Sequence, residues 1–92
     1  MRFEWNQTKA ASNQQKHGVS FEEAFSIFYD EQGQMFHDEG HMNEPRFLML
    51  GMSYRLRVLV VSFCERGNGE VLRIISARKA TRREAFHYRA RL

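Results

Sequence analysis

Nine basic residues crowd the C-terminal part of the chain: Arg57, Arg66, Arg73, Arg78, Lys79, Arg82, Arg83, Arg89 and Arg91, with Glu65, His87 and Tyr88 among them. Arginine grips phosphate through two parallel N–H bonds and can stabilise the charge of a pentacoordinate phosphorus centre. Arg78 and Lys79 end a strand-like run, and Arg82 and Arg83 open the helix that follows. Two cations in a first helical turn oppose the positive end of the helix macrodipole, a mismatch that an arriving anion would relieve. The plainer alternative is a solvated basic face with no ligand.

Two smaller constellations carry other chemistry. Lys9, Asn13, Lys16 and His17 recur at offsets of 4, 7 and 8, so on a helix they share one face and could meet a phosphate or move a proton. On a helix whose apolar residues are only Ala10 and Ala11, Asn13 or His17 could equally be satisfied inner groups. His37-Asp38-Glu39-Gly40-His41 has the composition of a metal site, but histidines at i and i+4 converge only on a helix. Gly40 and its polar neighbours favour a loop, and no pattern supplies a third ligand, so neither metal nor cofactor is expected. A phosphate-cradling glycine loop, paired zinc cysteines and a nucleophile-elbow serine are all missing from the sequence.

The elements that must position these residues can be read from pattern. Phe3 and Trp5 alternate with Arg2 and Glu4 as a short first strand. Asn6 caps a helix running to about His17, closed by Gly18 in a left-handed conformation. Ser20 with Glu23 forms a capping box, and Phe21, Ala24, Phe25 and Phe28 follow at the spacing of a buried helical face. A short strand is expected at 34–37, then three strand-like runs at 46–53, 57–65 and 71–78. The middle run is apolar on both faces, as a central strand covered on both sides requires, and Gly67-Asn68-Gly69 turns it into the last. Thr81 and Glu84 cap a final helix with Ala85, Tyr88 and Leu92 inward. The expected architecture is α+β, with residues 1–92 as a single domain.

With 92 residues there is no length for a second domain, and roughly two thirds of the unfolded chain's surface can be buried. The longest apolar run, Val58-Leu59-Val60-Val61, falls far short of the roughly 20 residues of a membrane span, and no signal peptide opens the chain. A lone Cys64 in an apolar run suits a reduced cytoplasmic protein. The net charge of +3 conceals a division: residues 1–44 carry three basic and eight acidic side chains, and residues 45–92 carry eleven and three. Concentrated basic charge points to a polyanion, with nucleic acid the usual one.

Phe3-Glu4-Trp5, Lys9, Asn13 and Lys16-His17-Gly18-Val19-Ser20-Phe21-Glu22-Glu23-Ala24 together resemble the opening of the BrnT toxin family. Asp38, His41, Glu44, Arg46-Phe47, Gly51, Ser53, Glu65-Arg66, Ile74-Ile75-Ser76-Ala77-Arg78, Ala80-Thr81-Arg82-Arg83-Glu84 and Tyr88 continue it in order over nearly the whole chain. Asn6 stands where the family commonly has Asp, and Tyr54-Arg55-Leu56 replaces its glycine-containing turn. The pattern gives a short strand, two N-terminal helices, an antiparallel sheet of three to four strands and a C-terminal helix, and the resemblance implies that this fold is RelE-like. It also implies a type II toxin that cleaves RNA without metal and arrests translation. Such a toxin is masked by a BrnA-like antitoxin, and the complex reaches operator DNA mainly through the antitoxin.

RNA carries its own nucleophile, the 2′-hydroxyl, so cleavage requires only a proton acceptor and a group that neutralises growing charge. Arg78 suits the second task, with Arg66, Arg82, Arg83 and Lys79 holding the backbone. Glu65, His17 and Lys9 are the candidate bases, with Tyr88 and His87 as helpers. The rival readings are a binding module that neutralises phosphates without cleaving, and a protein-interaction module using the same basic face.

Overall fold

The computed structural model describes residues 2–40 and 44–91. Five strands form one sheet in the order β1-β5-β4-β3-β2, from Arg2–Glu4 (β1), Gln34–Asp38 (β2), Arg46–Met52 (β3), Val58–Arg66 (β4) and Val71–Lys79 (β5). The helices are Gln7–His17 (α1), Phe21–Ser26 (α2) and Arg82–Arg89 (α3). The α+β expectation holds, but the three-to-four-stranded antiparallel sheet is corrected. The short first strand joins the sheet parallel to β5, Phe3 opposite Leu72, which gives a mixed sheet of five. The second N-terminal helix is also shorter than a buried face through Phe28 implies, because after Ser26 the chain tightens into a 3-10 turn, Ile27–Tyr29. This turn lets Ile27 reach the core and delivers Asp30 to the sheet, where its Oδ2 accepts from the Met52 N–H at 2.8 Å.

The N-cap side chains act as their residue types require, but the capping box expected at Ser20 and Glu23 forms only its first half, because the Glu23 carboxylate turns to Ser53 and Arg57. Asn6 Oδ1 accepts from the Lys9 N–H at 3.0 Å, Ser20 Oγ from the Glu23 N–H at 3.0 Å, and Gly18 ends α1 at φ 70°. Between β3 and β4 the turn without glycine places Leu56 at φ 62°. On one side of the sheet, α1 and α2 cover a core of Val19, Phe21, Ala24, Ile27, Leu59, Val61, Ile74 and Ala77. On the other, α3 covers Leu50, Val58, Val60 and Tyr88, with Ala85 packed against them. Burial on both faces of β4 explains its uninterrupted apolar run. Gly51 permits the close approach of the 3-10 turn, since a Cβ there would lie 3.2 Å from that of Ile27. Leu92, expected on the inner face of α3, lies outside the described residues.

β1 covers only the first part of β5's outer edge, and a side chain covers part of the remainder. Asn13, buried on α1, accepts from the Ala77 N–H at 3.1 Å and donates to the Ala77 and Val19 carbonyls at 2.9 and 3.0 Å. Its amide does there what a neighbouring strand would do. Asn13→Ala should lower unfolding free energy by about 2–3 kcal/mol, because buried backbone groups lose their partners. Urea denaturation reads this directly, and a change below about 0.5 kcal/mol would refute the role given to the amide.

Candidate active site

Alternation along β5 sends Ala77 into the α1–α2 side and Ser76 and Arg78 to the α3 side, Arg78 lying opposite Val60 of the α3 core. Arg78 meets the first turn of α3. Its Nη1 donates to Glu84 Oε1 at 2.8 Å and its Nη2 to Oε2 at 3.0 Å, a two-pronged pair. Glu84 Oε1 also accepts from the Thr81 N–H at 2.8 Å, and Thr81 Oγ1 accepts from the Glu84 N–H at 3.1 Å, completing the capping box. The Arg78 guanidinium, more than the Thr81 backbone, pulls the Glu84 carboxyl down to about 2. Glu84 in turn raises the Arg78 pKa. The anion that a basic helix start called for is therefore supplied in part by the chain itself. Lys79, Arg82 and Arg83 are exposed and have no ion-pair partner among the described residues.

Between α3 and the sheet lies a cleft of about 360 Å³. Leu48, Leu50 and Val60 supply its carbon floor, Phe36 of β2 one wall, and Arg83, Glu84 and His87 of α3 the other. At the outer edge of β5, Lys9, Lys16 and His17 of α1 surround a shallow groove that Ile75 and Ser76 complete. Ser76 and Arg78 are successive same-face residues, roughly 7 Å apart along the strand. The α1 cations and Arg78 thus border one stretch of β5.

The chain as a whole has counterparts among known proteins. The model of the family described as "Ribonuclease toxin, BrnT, of type II toxin-antitoxin system" matches residues 5–84. The chain belongs to the BrnT family. The fold is similar to that of the Brucella abortus ribonuclease toxin BrnT, with a TM-score of 0.70 and 28% identity over 89% of this chain and 99% of that one. Comparison with curated proteins gives no match.

The other residues singled out in this BrnT-family chain lie elsewhere. Glu65 stands opposite Leu72, six residues along β5 from Arg78 and so roughly 20 Å away. It also projects to the opposite face, two residues beyond Phe63, which packs on Phe28. Arg66 is engaged by Glu4 at 3.8 Å and Glu44 at 3.4 Å. Tyr88 is buried, and its hydroxyl donates to Asp30 Oδ2, with burial first and Asp30 second pushing its pKa up to about 12. Its place is beneath the surface, tying α3 to the residue after the 3-10 turn. His37 sits on strand β2 against the Phe47 ring at 4.9 Å, and His41 lies outside the described residues. His37 lies on the short strand expected at 34–37, which runs one residue further to take in Asp38.

Two participants escaped the sequence reading. Glu84 was legible as a capping residue, but a six-residue separation across a turn gives no periodic sign that it holds Arg78. Phe36 gave a weak signal because its strand is short and the cleft it borders is completed by α3, a distant segment.

Proposed function

We propose that this BrnT-family ribonuclease toxin binds single-stranded RNA across the α3 side of its sheet and cleaves it without a metal. The RNA 2′-hydroxyl attacks the adjacent phosphorus, the P–O5′ bond breaks as O5′ takes a proton from solvent, and a 2′,3′-cyclic phosphate and a 5′-hydroxyl result. Arg78 faces the phosphate and neutralises the charge that grows on its oxygens. Lys79, Arg82 and Arg83 hold the flanking backbone. The observation that carries the reading is the juxtaposition of Arg78, oriented by Glu84, with cations at the α3 start that have no ion-pair partner among the described residues. Lys9 or His17 takes the 2′-hydroxyl proton, since both line the groove at Ser76, the same-face neighbour of Arg78. Glu65, at the far end of β4, is too distant to act at a phosphate held by Arg78.

In the cell the product of this activity is arrested translation in the cytoplasm. A BrnA-like antitoxin covers the basic surface with acidic and apolar groups, and the complex contacts operator DNA through the antitoxin. No described helix is long and apolar enough to cross a membrane. Purified toxin incubated with RNA in EDTA should yield fragments with 2′,3′-cyclic or 3′-phosphate ends. Intact RNA after prolonged incubation with folded protein, together with salt-sensitive binding, would leave only a phosphate-binding module.

A further inference from the structure

The cleft beneath α3 adjoins the proposed phosphate site but is unlike it chemically. Its floor offers Leu48, Leu50 and Val60 and no polar group, so it suits neither a phosphate nor a ribose. At its mouth the Phe36 ring, 42% exposed, stands 6.2 Å from the His87 ring at 54°. An aromatic face beside Arg83, which has no ion-pair partner among the described residues, is the combination that takes a nucleobase by stacking and its phosphate by charge. Glu84 fixes the distance between the two sites, because it borders the cleft while holding Arg78. A ligand spanning both places must put a flat apolar group in the cleft and an anion at Arg78, which a nucleotide does. Register supports a continuous track. Phe36, Leu48, Ser62 and Ser76 are paired in turn across β2, β3, β4 and β5, a row of roughly 14 Å from the cleft to the α1 cations.

We propose that this cleft is a nucleobase subsite, in which a base of the RNA strand adjoining the phosphate at Arg78 stacks on Phe36. The proposal rests on the ribonuclease reading and adds the part of the substrate that is recognised besides its phosphate. Because every base has a π-face and the floor has no hydrogen-bonding groups, the subsite discriminates weakly among bases.

The test compares two single-stranded hexamers with the full chain at fixed salt in EDTA. One is a 2′-O-methyl RNA, which lacks the attacking hydroxyl and so reports binding alone. The other is the same backbone with abasic residues. Wild-type protein should bind the base-containing strand about tenfold more tightly. Phe36→Ala should bring that ratio close to one while leaving abasic binding unchanged, and Phe36→Trp should preserve it. Arg83→Ala should weaken both strands alike. A ratio unaffected by Phe36→Ala overturns the subsite, as does a Phe36→Ala defect confined to antitoxin binding, which would give the cleft to the protein partner. A wild-type ratio of one in a protein that still cleaves RNA overturns the subsite and spares the ribonuclease reading. Failure to bind either strand overturns both.

Discussion

Arg78→Ala is expected to slow RNA cleavage by about 10²–10³-fold while changing RNA affinity by no more than a few-fold. The asymmetry follows from the division of labour on the α3 side. Lys79, Arg82 and Arg83 have no ion-pair partners among the described residues, and on the proposed reading they carry most of the attraction for backbone phosphate. Arg78 is restrained in both prongs of its guanidinium by Glu84, so it adds little to initial capture. Its contribution comes when phosphorane charge exceeds that of the ground-state phosphate and competes with the carboxylate. Arg78→Lys retains charge but loses the fork, and an intermediate rate is expected. Glu84→Gln still caps α3 yet releases Arg78, so RNA affinity should rise while the orientation of Arg78, and with it the rate per bound strand, falls. Single-turnover rates and affinities on one RNA separate these effects. Cleavage by Arg78→Ala within about threefold of wild type would remove Arg78 from the chemistry.

The largest stability effect is expected at Glu23, on the opposite side of the sheet. Its carboxylate is 1% exposed and accepts from Ser53 Oγ at 2.7 Å and Arg57 Nε at 2.8 Å, with a further short bond from Arg57 Nη2 and Arg55 at 3.6 Å. Arg57 extends the network to the Gly18 carbonyl at 3.1 Å, so one carboxylate joins the end of α1, the start of α2 and the β3–β4 turn. Glu23→Ala leaves a half-buried guanidinium without its partner and should cost about 3–5 kcal/mol. For a chain of this size about 3 kcal/mol corresponds to a fall in melting temperature of roughly 12–24 °C. The Arg57 bonds, acting against the burial that opposes them, hold the Glu23 carboxyl below its ordinary range. A depressed carboxyl pKa stabilises the fold above the unfolded value, and that contribution is lost as pH falls through the folded one. Acid should therefore erode wild-type stability more than that of Glu23→Gln. Identical slopes of melting temperature between neutral pH and pH 3 would refute the network's role.

What could be read from sequence was local. Asn6, Ser20 and Thr81 announced their helices because a cap is written within four residues, and the doubly apolar run of β4 announced a central strand. The basic helix start likewise singled out Arg78, Arg82 and Arg83 as candidates. Long-range pairings left no comparable trace. Arg2–Glu4 alternates as any short strand does, and nothing nearby says that its partner is Val71–Lys79 or that the two are parallel. Asn13 was legible as an inner polar group but not as the residue that closes β5's edge, since its partner is 64 positions away. Separating Glu65 from Arg78 required knowing which face each residue occupies, and strand register decided that through contacts remote in sequence.

The pairing of β1 with β5, and of Asn13 with Ala77, also sets an order on synthesis. A ribosome delivers the N-terminal strand and α1 first, and both must wait for β5 before their polar backbone and amide groups are satisfied. Arg78 sits near the end of that last strand, and Glu84 follows it. A nascent chain therefore cannot form the Arg78–Glu84 pair until both of these late residues have been made.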